Sequence, residues 1–109
     1  MAVYLTELET LKQRKKMRVP YLNRFLLLAY HEEKVYCIHD KCPHMGSTLS
    51  NGILEGEVIT CKDHGLPISL VTGEVTDASK AEFLKIDEYS RSVRAYKTFI
   101  QNGKVYLDL

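Results

Sequence analysis

Two short clusters of cysteine and histidine lie within one stretch of the sequence, "CPHMGSTLSNGILEGEVITCKDH", residues 42–64. Cys42 and His44 begin this stretch, and Cys61 and His64 end it. Thiolate sulfur and imidazole nitrogen are the donors with which proteins bind zinc and iron. The residue types and their pairing therefore predict a metal site that is shared by two short segments of chain.

Two kinds of metal site fit this set of ligands. One is a closed, tetrahedral zinc site, and the other is a two-iron cluster in which cysteines bind one iron and histidines bind the other. Zinc ligands within a pair are usually separated by about two to four residues. Only Pro43 separates Cys42 from His44. The spacing favours the cluster and leaves the zinc site open as an alternative.

The segments around these ligands are predicted to be short strands and loops. Strand-like runs rich in β-branched and aromatic residues are separated by turn residues, and they read "MRVPYLN", "RFLLLAYHE", "KVYCIHD", "GEVITC", "PISLVTGEVT", "SVRAYKTFI" and "KVYLDL". Thr72–Gly73 and Asn102–Gly103 predict hairpin turns. This pattern is typical of an antiparallel sandwich or barrel. The one predicted helix is a short one after Thr6, where "TELE" has a capping-box pattern.

Composition excludes several classes of function. The chain has 109 residues and a net charge of +1, so no overall field draws it to nucleic acid or to an anionic membrane. It has neither a signal-peptide pattern nor an apolar run near the roughly 20 residues of a membrane helix. We expect a complete cytoplasmic protein or subunit that has no membrane partner.

The remaining cysteine and histidines are expected to be structural. The odd number of cysteines argues against a disulfide framework, and Cys37 alternates with Val35 in a strand, which predicts a small buried side chain. His31 and His39 are predicted to be ordinary strand or surface residues.

"CPHMGSTLSNG", followed by "GEVITCKDHG" and "TGEV", resembles the Rieske [2Fe–2S] proteins, in particular the small Rieske-type ferredoxins. The resemblance implies an all-β fold, a Rieske-type antiparallel β sandwich with two cluster-binding loops that project from one end. It implies a single domain over residues 1–109, with the cluster-binding part at approximately 38–72.

The resemblance also implies a ligand set and a function. Cys42 and Cys61 would bind the buried iron of one [2Fe–2S] cluster, and His44 and His64 would bind the outer iron. The protein would be an electron carrier between a flavin-dependent reductase and a terminal oxygenase or similar enzyme, and not itself an enzyme. Two alternatives stay open: a small Rieske-like subunit of an oxidoreductase such as assimilatory nitrite reductase, and a zinc-binding interaction module.

The sequence departs from the high-potential Rieske subunits at two pairs of positions. Ser47 and Asp63 stand where those subunits have cysteines that form a disulfide between the ligand loops. Leu66 and Ile68 stand where they have a serine and a tyrosine that donate hydrogen bonds to cluster sulfur. Because such donors stabilise the reduced cluster, their loss predicts a midpoint potential toward the lower end of the range, roughly −150 to +300 mV.

Several residues near the ligands invite further expectations. Met45, Leu66 and Pro67 are expected to form an apolar collar for docking, and Gly46 and Gly65 to let the backbone pass close to the cluster. Phe83 is a candidate cover for the cluster. The basic run from Lys12 to Arg18 is either a solvated strand edge or a docking patch for an acidic reductase.

Overall fold

The computed structural model describes residues 1–43 and 46–109. These residues form ten strands, two short α-helices and 3₁₀ turns at Leu49–Asn51 and Glu88–Ser90. In chain order the elements are β1 (Ala2–Glu7), α1 (Leu8–Arg14), β2 (Lys16–Tyr21), β3 (Arg24–His31), β4 (Lys34–His39), β5 (Ile53–Glu55), β6 (Val58–Thr60), β7 (Pro67–Ser69), α2 (Ala78–Phe83), β8 (Ala95–Tyr96), β9 (Thr98–Gln101) and β10 (Lys104–Asp108).

The strands of the described chain form three antiparallel sheets. The central sheet has the order β2-β3-β4-β8, a second sheet has the order β1-β10-β9, and a third has the order β5-β6-β7. The second sheet brings the two ends of the chain together, because β1 pairs with β10. The prediction of an all-β antiparallel fold is confirmed.

The central sheet is buried on both of its faces. In β3, the consecutive residues Leu26 to Ala29 are all fully buried, which is the pattern of a strand covered on two sides. Leu26 and Leu28 point to one face, in a cluster that also contains Leu11 of α1 and Val105 of β10. That face is therefore closed by the second sheet and the first helix.

The opposite face of the central sheet supports the part of the chain that carries the predicted ligands. Leu27 and Ile38, which are register partners on β3 and β4, lie in a second cluster with Ile59 of β6. Cys42 and Cys61 are members of the same cluster. The third sheet and the predicted metal site are thus packed directly on the central sheet.

Cys37 is a core residue, as its position in the strand predicts. It lies in β4 opposite Leu28, and 1% of its surface is exposed. Burial raises the pKa of its thiol to about 12, because the apolar surroundings disfavour the thiolate. A neutral, buried thiol contributes packing and no chemistry.

The first helix is present after Thr6, but Thr6 is not its N-cap. Thr6 belongs to β1, where it pairs with Val105, and the helix begins at Leu8. Glu7 stands at the N-cap position and makes no side-chain hydrogen bond to the helix. Its carboxylate instead accepts hydrogen bonds from Tyr4 and Lys104. Pairing of β1 with β10 across the whole chain outweighs the local capping pattern.

The second helix was not predicted from the sequence. Asp77 is its N-cap, and the carboxylate accepts a hydrogen bond from the backbone N–H of Lys80 at 3.0 Å. An aspartate followed by the good helix formers of "ASKAEF" is a start signal that could have identified it. No helix in the described part of the chain is long and apolar enough to cross a membrane.

Both predicted glycine turns occur, each for its own reason. Asn102 and Gly103 join β9 to β10 with positive φ angles of 53° and 74°, as a type I′ turn requires. At Gly73 the φ is +81°, and an added Cβ would lie 2.0 Å from the carbonyl oxygen of Val93. Gly73 therefore serves a turn and a close contact of two backbone segments.

Candidate metal centre

Two loops carry the predicted ligands. The first ligand loop, residues 40–52, runs from the end of β4 to the start of β5, and the second ligand loop, residues 61–66, joins β6 to β7. Cys42 lies near the start of the first loop, and Cys61 follows β6 directly. Each loop therefore leaves from a strand that contributes a buried side chain, Ile38 of β4 or Ile59 of β6, to the same core cluster.

The two ligand loops are closed by the same pair of backbone hydrogen bonds. The carbonyl oxygen of Cys42 accepts from the N–H of Gly46 at 2.9 Å, and that of Cys61 accepts from Gly65 at 2.8 Å. The N–H of Cys42 donates to the carbonyl of Ser47 at 2.6 Å, and that of Cys61 donates to Leu66 at 2.8 Å. Each loop thus folds back over its cysteine. The two loops share this closure although the histidine follows the cysteine by two residues in the first loop and by three in the second.

The glycines in these loops are required by backbone conformation. Gly46 and Gly65 have φ angles of +72° and +66°, which an L-residue with a Cβ rarely adopts. The nearest neighbours of an added Cβ are the ends of the flexible side chains of Lys41 and Lys80. The positive φ, which closes each loop over its cysteine, accounts for glycine at these positions.

The described ligands separate into buried thiols and an exposed imidazole. Cys42 is 1% exposed and Cys61 2% exposed, in the same core cluster. His64 is exposed at the surface end of the second loop. His44 and Met45 lie outside the described residues, so the predicted ligand role of His44 and the docking role of Met45 are not located by the structure.

This arrangement fits a group with an inner and an outer metal. Within residues 1–43 and 46–109, no three His, Cys, Asp or Glu side chains come together closely enough to hold one metal ion. In a Rieske-type cluster two thiolates would bind one iron and two imidazoles the other, so no single ion would need three of these side chains. The donor set and its burial fit the cluster.

Asp40 anchors the first ligand loop to the central sheet, and the sequence analysis did not identify it. Its buried carboxylate accepts from the N–H and the hydroxyl of Ser50, each at 2.7 Å, and lies 3.1 Å from Nε of Arg18. The ammonium group of Lys16 donates to the carbonyl of Ser50. An aspartate immediately after a strand and before the ligands was the available signal.

Ser47 and Asp63 join the two ligand loops. The hydroxyl of Ser47 donates a hydrogen bond to the carboxylate of Asp63. Cys37, Cys42 and Cys61 all lie within the described residues, and none of them is in a disulfide. The positions that the resemblance associates with a covalent bridge are therefore linked by a charge-assisted hydrogen bond.

Gly52 forms a second close contact between the segments that carry the ligands. Its φ of −80° is accessible to any residue, yet an added Cβ would lie 2.1 Å from the carbonyl oxygen of Thr60. Thr60 immediately precedes Cys61. Gly52 is therefore required by the distance between the end of the first loop and the strand that leads to Cys61.

Other predicted roles are contradicted by burial. Leu66 is fully buried, so it cannot belong to an exposed apolar collar, whereas Pro67 is partly exposed. Phe83 is 82% exposed and does not cover the site. Its helix instead contributes the buried Ala81 to the core around the cysteines and places Lys80 beside Gly65.

Comparisons with known proteins identify a family from the sequence and a fold from solved structures. The sequence profile of the Rieske [2Fe-2S] domain matches residues 2–90. No curated protein sequence matches the chain. Among solved structures, NdmA of Pseudomonas putida CBB5 is 18% identical with a TM-score of 0.82, over 98% of this chain and 33% of NdmA. The chain thus spans about a third of that protein.

Two smaller proteins are similar over nearly their whole length. The ferredoxin of carbazole 1,9a-dioxygenase from Nocardioides aromaticivorans IC177 is 20% identical with a TM-score of 0.80, over 98% of this chain and 96% of the ferredoxin. A protein assigned as the small subunit of an NADPH nitrite reductase is 19% identical with a TM-score of 0.79, over 100% of this chain and 99% of that protein. At these identities the similarity establishes the fold.

Replacement of Gly52 by alanine is predicted to disturb the site. Because the Cβ would collide with the carbonyl of Thr60, Gly52→Ala should lower the free energy of unfolding by about 2 kcal/mol and reduce the iron bound per chain. Gly103→Ala is the control, because it adds strain of about 1 kcal/mol at a positive φ with no atom within 4 Å. Equal iron content in the two variants would contradict this role of Gly52.

The hydrogen bond between Ser47 and Asp63 is predicted to slow the loss of metal. Ser47→Ala and Asp63→Ala should each increase the rate at which a chelator removes iron, by roughly fivefold for a bond of about 1 kcal/mol. The double variant should lose iron no faster than either single variant, because both substitutions remove the same interaction. Additive effects in this cycle would show that the two residues act independently.

Proposed function

Since the chain belongs to the Rieske [2Fe-2S] domain family, we propose that it is a Rieske-type ferredoxin, which carries one electron from a flavin-dependent reductase to a terminal oxygenase or a similar enzyme. The family implies one Rieske-type [2Fe–2S] cluster, which when bound takes up and releases a single electron. The observation that carries the proposal is the burial of Cys42 and Cys61 in one core cluster below the exposed His64.

Within this proposal each ligand has a distinct part. Cys42 and Cys61 would hold the inner iron as thiolates and are shielded from water by the leucine and isoleucine side chains around them. His44 and His64 would hold the outer iron, and the exposure of His64 would bring that end of the site to the protein surface. The ligands belong to the cluster-binding part, approximately residues 38–72, of a single domain that spans residues 1–109.

Similarity to a small ferredoxin supports the form of the proposal in which the chain carries an electron and transforms no substrate itself. This chain and the carbazole dioxygenase ferredoxin cover each other almost completely. The cysteines, none of which is in a disulfide, fit the reducing conditions of the cytoplasm. Reductase and oxygenase are therefore proposed as separate proteins that dock in turn.

A second candidate function is that of a small subunit of an oxidoreductase such as assimilatory nitrite reductase. The nearly complete mutual coverage with an assigned nitrite reductase small subunit favours it. Copurification of the chain with a large catalytic subunit would distinguish this role from that of a freely exchanging ferredoxin. The zinc-binding module is disfavoured, because the chain belongs to the Rieske [2Fe-2S] domain family.

The ligand assignment predicts a characteristic EPR spectrum. Dithionite-reduced protein should give a rhombic signal whose average g lies below that of all-cysteine clusters, because imidazole replaces thiolate on one iron. In His44→Cys and His64→Cys variants that assemble a cluster, the average g should rise. Cys37→Ala is the matched control and should keep the parent spectrum, since Cys37 is packed in the opposite core. A colourless protein that contains zinc would refute the proposal.

The midpoint potential is predicted to lie low in the Rieske range, between about −150 and 0 mV. Leu66 and Ile68 are fully buried beside the cysteines and have no side-chain N–H or O–H to donate to sulfur. Leu66→Ser should raise the midpoint relative to Leu66→Ala, by about 40 mV for a hydrogen bond of roughly 1 kcal/mol. Both variants truncate the same side chain, so their difference isolates the hydroxyl. A parent midpoint clearly above zero in a redox titration would contradict the prediction.

A further inference from the structure

Four basic side chains surround the start of the first ligand loop. This cationic patch consists of Arg18, Arg24, Lys41 and Arg94. It lines two adjoining depressions that meet at His39, Lys41 and Gly46, and the second depression reaches Cys42 and Pro43. The cationic patch therefore lies directly over a proposed cluster ligand.

The arginines of the cationic patch are held in place by aromatic side chains. The guanidinium of Arg18 lies 3.7 Å from the centre of the Phe25 ring, and that of Arg94 lies 4.8 Å from the centre of Tyr96. Nη1 of Arg24 donates to the hydroxyl of the same tyrosine at 3.2 Å. Ordered guanidinium groups lose less conformational entropy when they bind a carboxylate than free side chains do.

The positive charge of the cationic patch is only partly cancelled locally, because Asp40 pairs with Arg18 and leaves the other three basic side chains without a carboxylate among the described lining residues. Among the described residues that line the two depressions, the one carboxylate is Asp40, and its side chain is buried against Arg18 and Ser50. The pKa of His39 is lowered, first by burial and then by the nearby charges of Arg24 and Lys41. Since the whole chain has a net charge of only +1, the patch is a local concentration of charge.

We propose that the cationic patch is the docking surface for an acidic redox partner protein, which presents carboxylates to these arginines while it exchanges an electron at the neighbouring cluster. This inference rests on the proposed function. It differs from both docking surfaces expected from the sequence. Leu66 of the apolar collar is buried, and only Arg18 of the basic run 12–18 belongs to the cationic patch.

Charge complementarity of this kind acts mainly on the rate of association. Ordered charges beside a redox centre raise the frequency of productive encounters by tenfold or more at low ionic strength. The effect decreases as salt shortens the range of the field, which is about 10 Å at 0.1 M. If the cationic patch is the docking surface, the rate of electron transfer to an acidic partner should therefore fall as the salt concentration rises.

Two forms of one acceptor test the proposal. Reduced protein is mixed with native cytochrome c, which is basic, or with succinylated cytochrome c, in which lysines have been converted to carboxylates, and haem reduction is followed by absorbance. At low ionic strength the succinylated form should be reduced faster, and its rate should fall with salt. The native form should show the opposite dependence on salt.

Variants that remove positive charges test whether the effect of salt on the rate arises from the cationic patch. The variant R24Q/K41Q/R94Q should reduce succinylated cytochrome c about tenfold more slowly at low salt. The control R14Q/K15Q/K34Q also removes three exposed positive charges, at the other end of β3, about 20 Å away along the strand. Its rate should fall less than that of the first variant at low salt, and at 0.1 M salt it should match the parent within about twofold, because the three charges then lie beyond the Debye length of about 10 Å. The EPR spectra of both variants should match the parent, which shows that the cluster is intact.

The outcomes separate the cationic patch from the proposed function. If neither form of cytochrome c is reduced, the chain is not an electron carrier and the inference fails with the proposed function. If both forms are reduced but the two triple variants slow the reaction equally, the carrier role stands and the cationic patch is not the docking surface. A faster reaction with native cytochrome c would also overturn the inference.

Discussion

Burial of the central sheet on both faces is the constraint on which the other parts of the structure depend. A strand such as β3, with four consecutive buried residues, requires a layer of apolar side chains above and another below. The second sheet and α1 supply one layer. The other layer is supplied by the third sheet and the ligand loops, so the residues that hold the cysteines also complete the hydrophobic core.

The ligand loops are held by many modest interactions rather than by a covalent bridge. Asp40 fixes the first loop to the central sheet through Ser50, and backbone hydrogen bonds close each loop over its cysteine. Tyr36 of the central sheet donates to Glu57 in the turn between β5 and β6, which raises the tyrosine pKa to about 12. Each contact contributes on the order of 1 kcal/mol, and their sum positions the two loops.

Those parts of the fold that depend on local pattern could be predicted from the sequence. The apolar run of β3, the Asn102–Gly103 turn and the burial of Cys37 follow from alternation, turn chemistry and residue type. The two loops with their cysteines were predicted from ligand spacing and from resemblance to a family. These features are encoded within a few residues of one another.

The features that sequence analysis missed depend on contacts between distant segments. Thr6 forms a strand rather than a helix cap because Val105 pairs with it from the other end of the chain. Gly52 is required by the carbonyl of Thr60, and Leu66 turns inward to the core. The cationic patch combines residues from β2, β3, the first ligand loop and the segment before β8, which no local pattern could have grouped.

The division of the hydrophobic core into two clusters bears on how the protein acquires its metal. The cluster that contains Leu11, Leu28 and Val105 includes neither Cys42 nor Cys61, so its packing does not involve the proposed ligands. The other cluster has the two thiols among its members, so metal binding at these thiols would act on the packing of that cluster. We therefore expect the chain to mature in two stages: one half folds on synthesis and offers a preformed platform, and the other half becomes rigid when the cell delivers iron and sulfide.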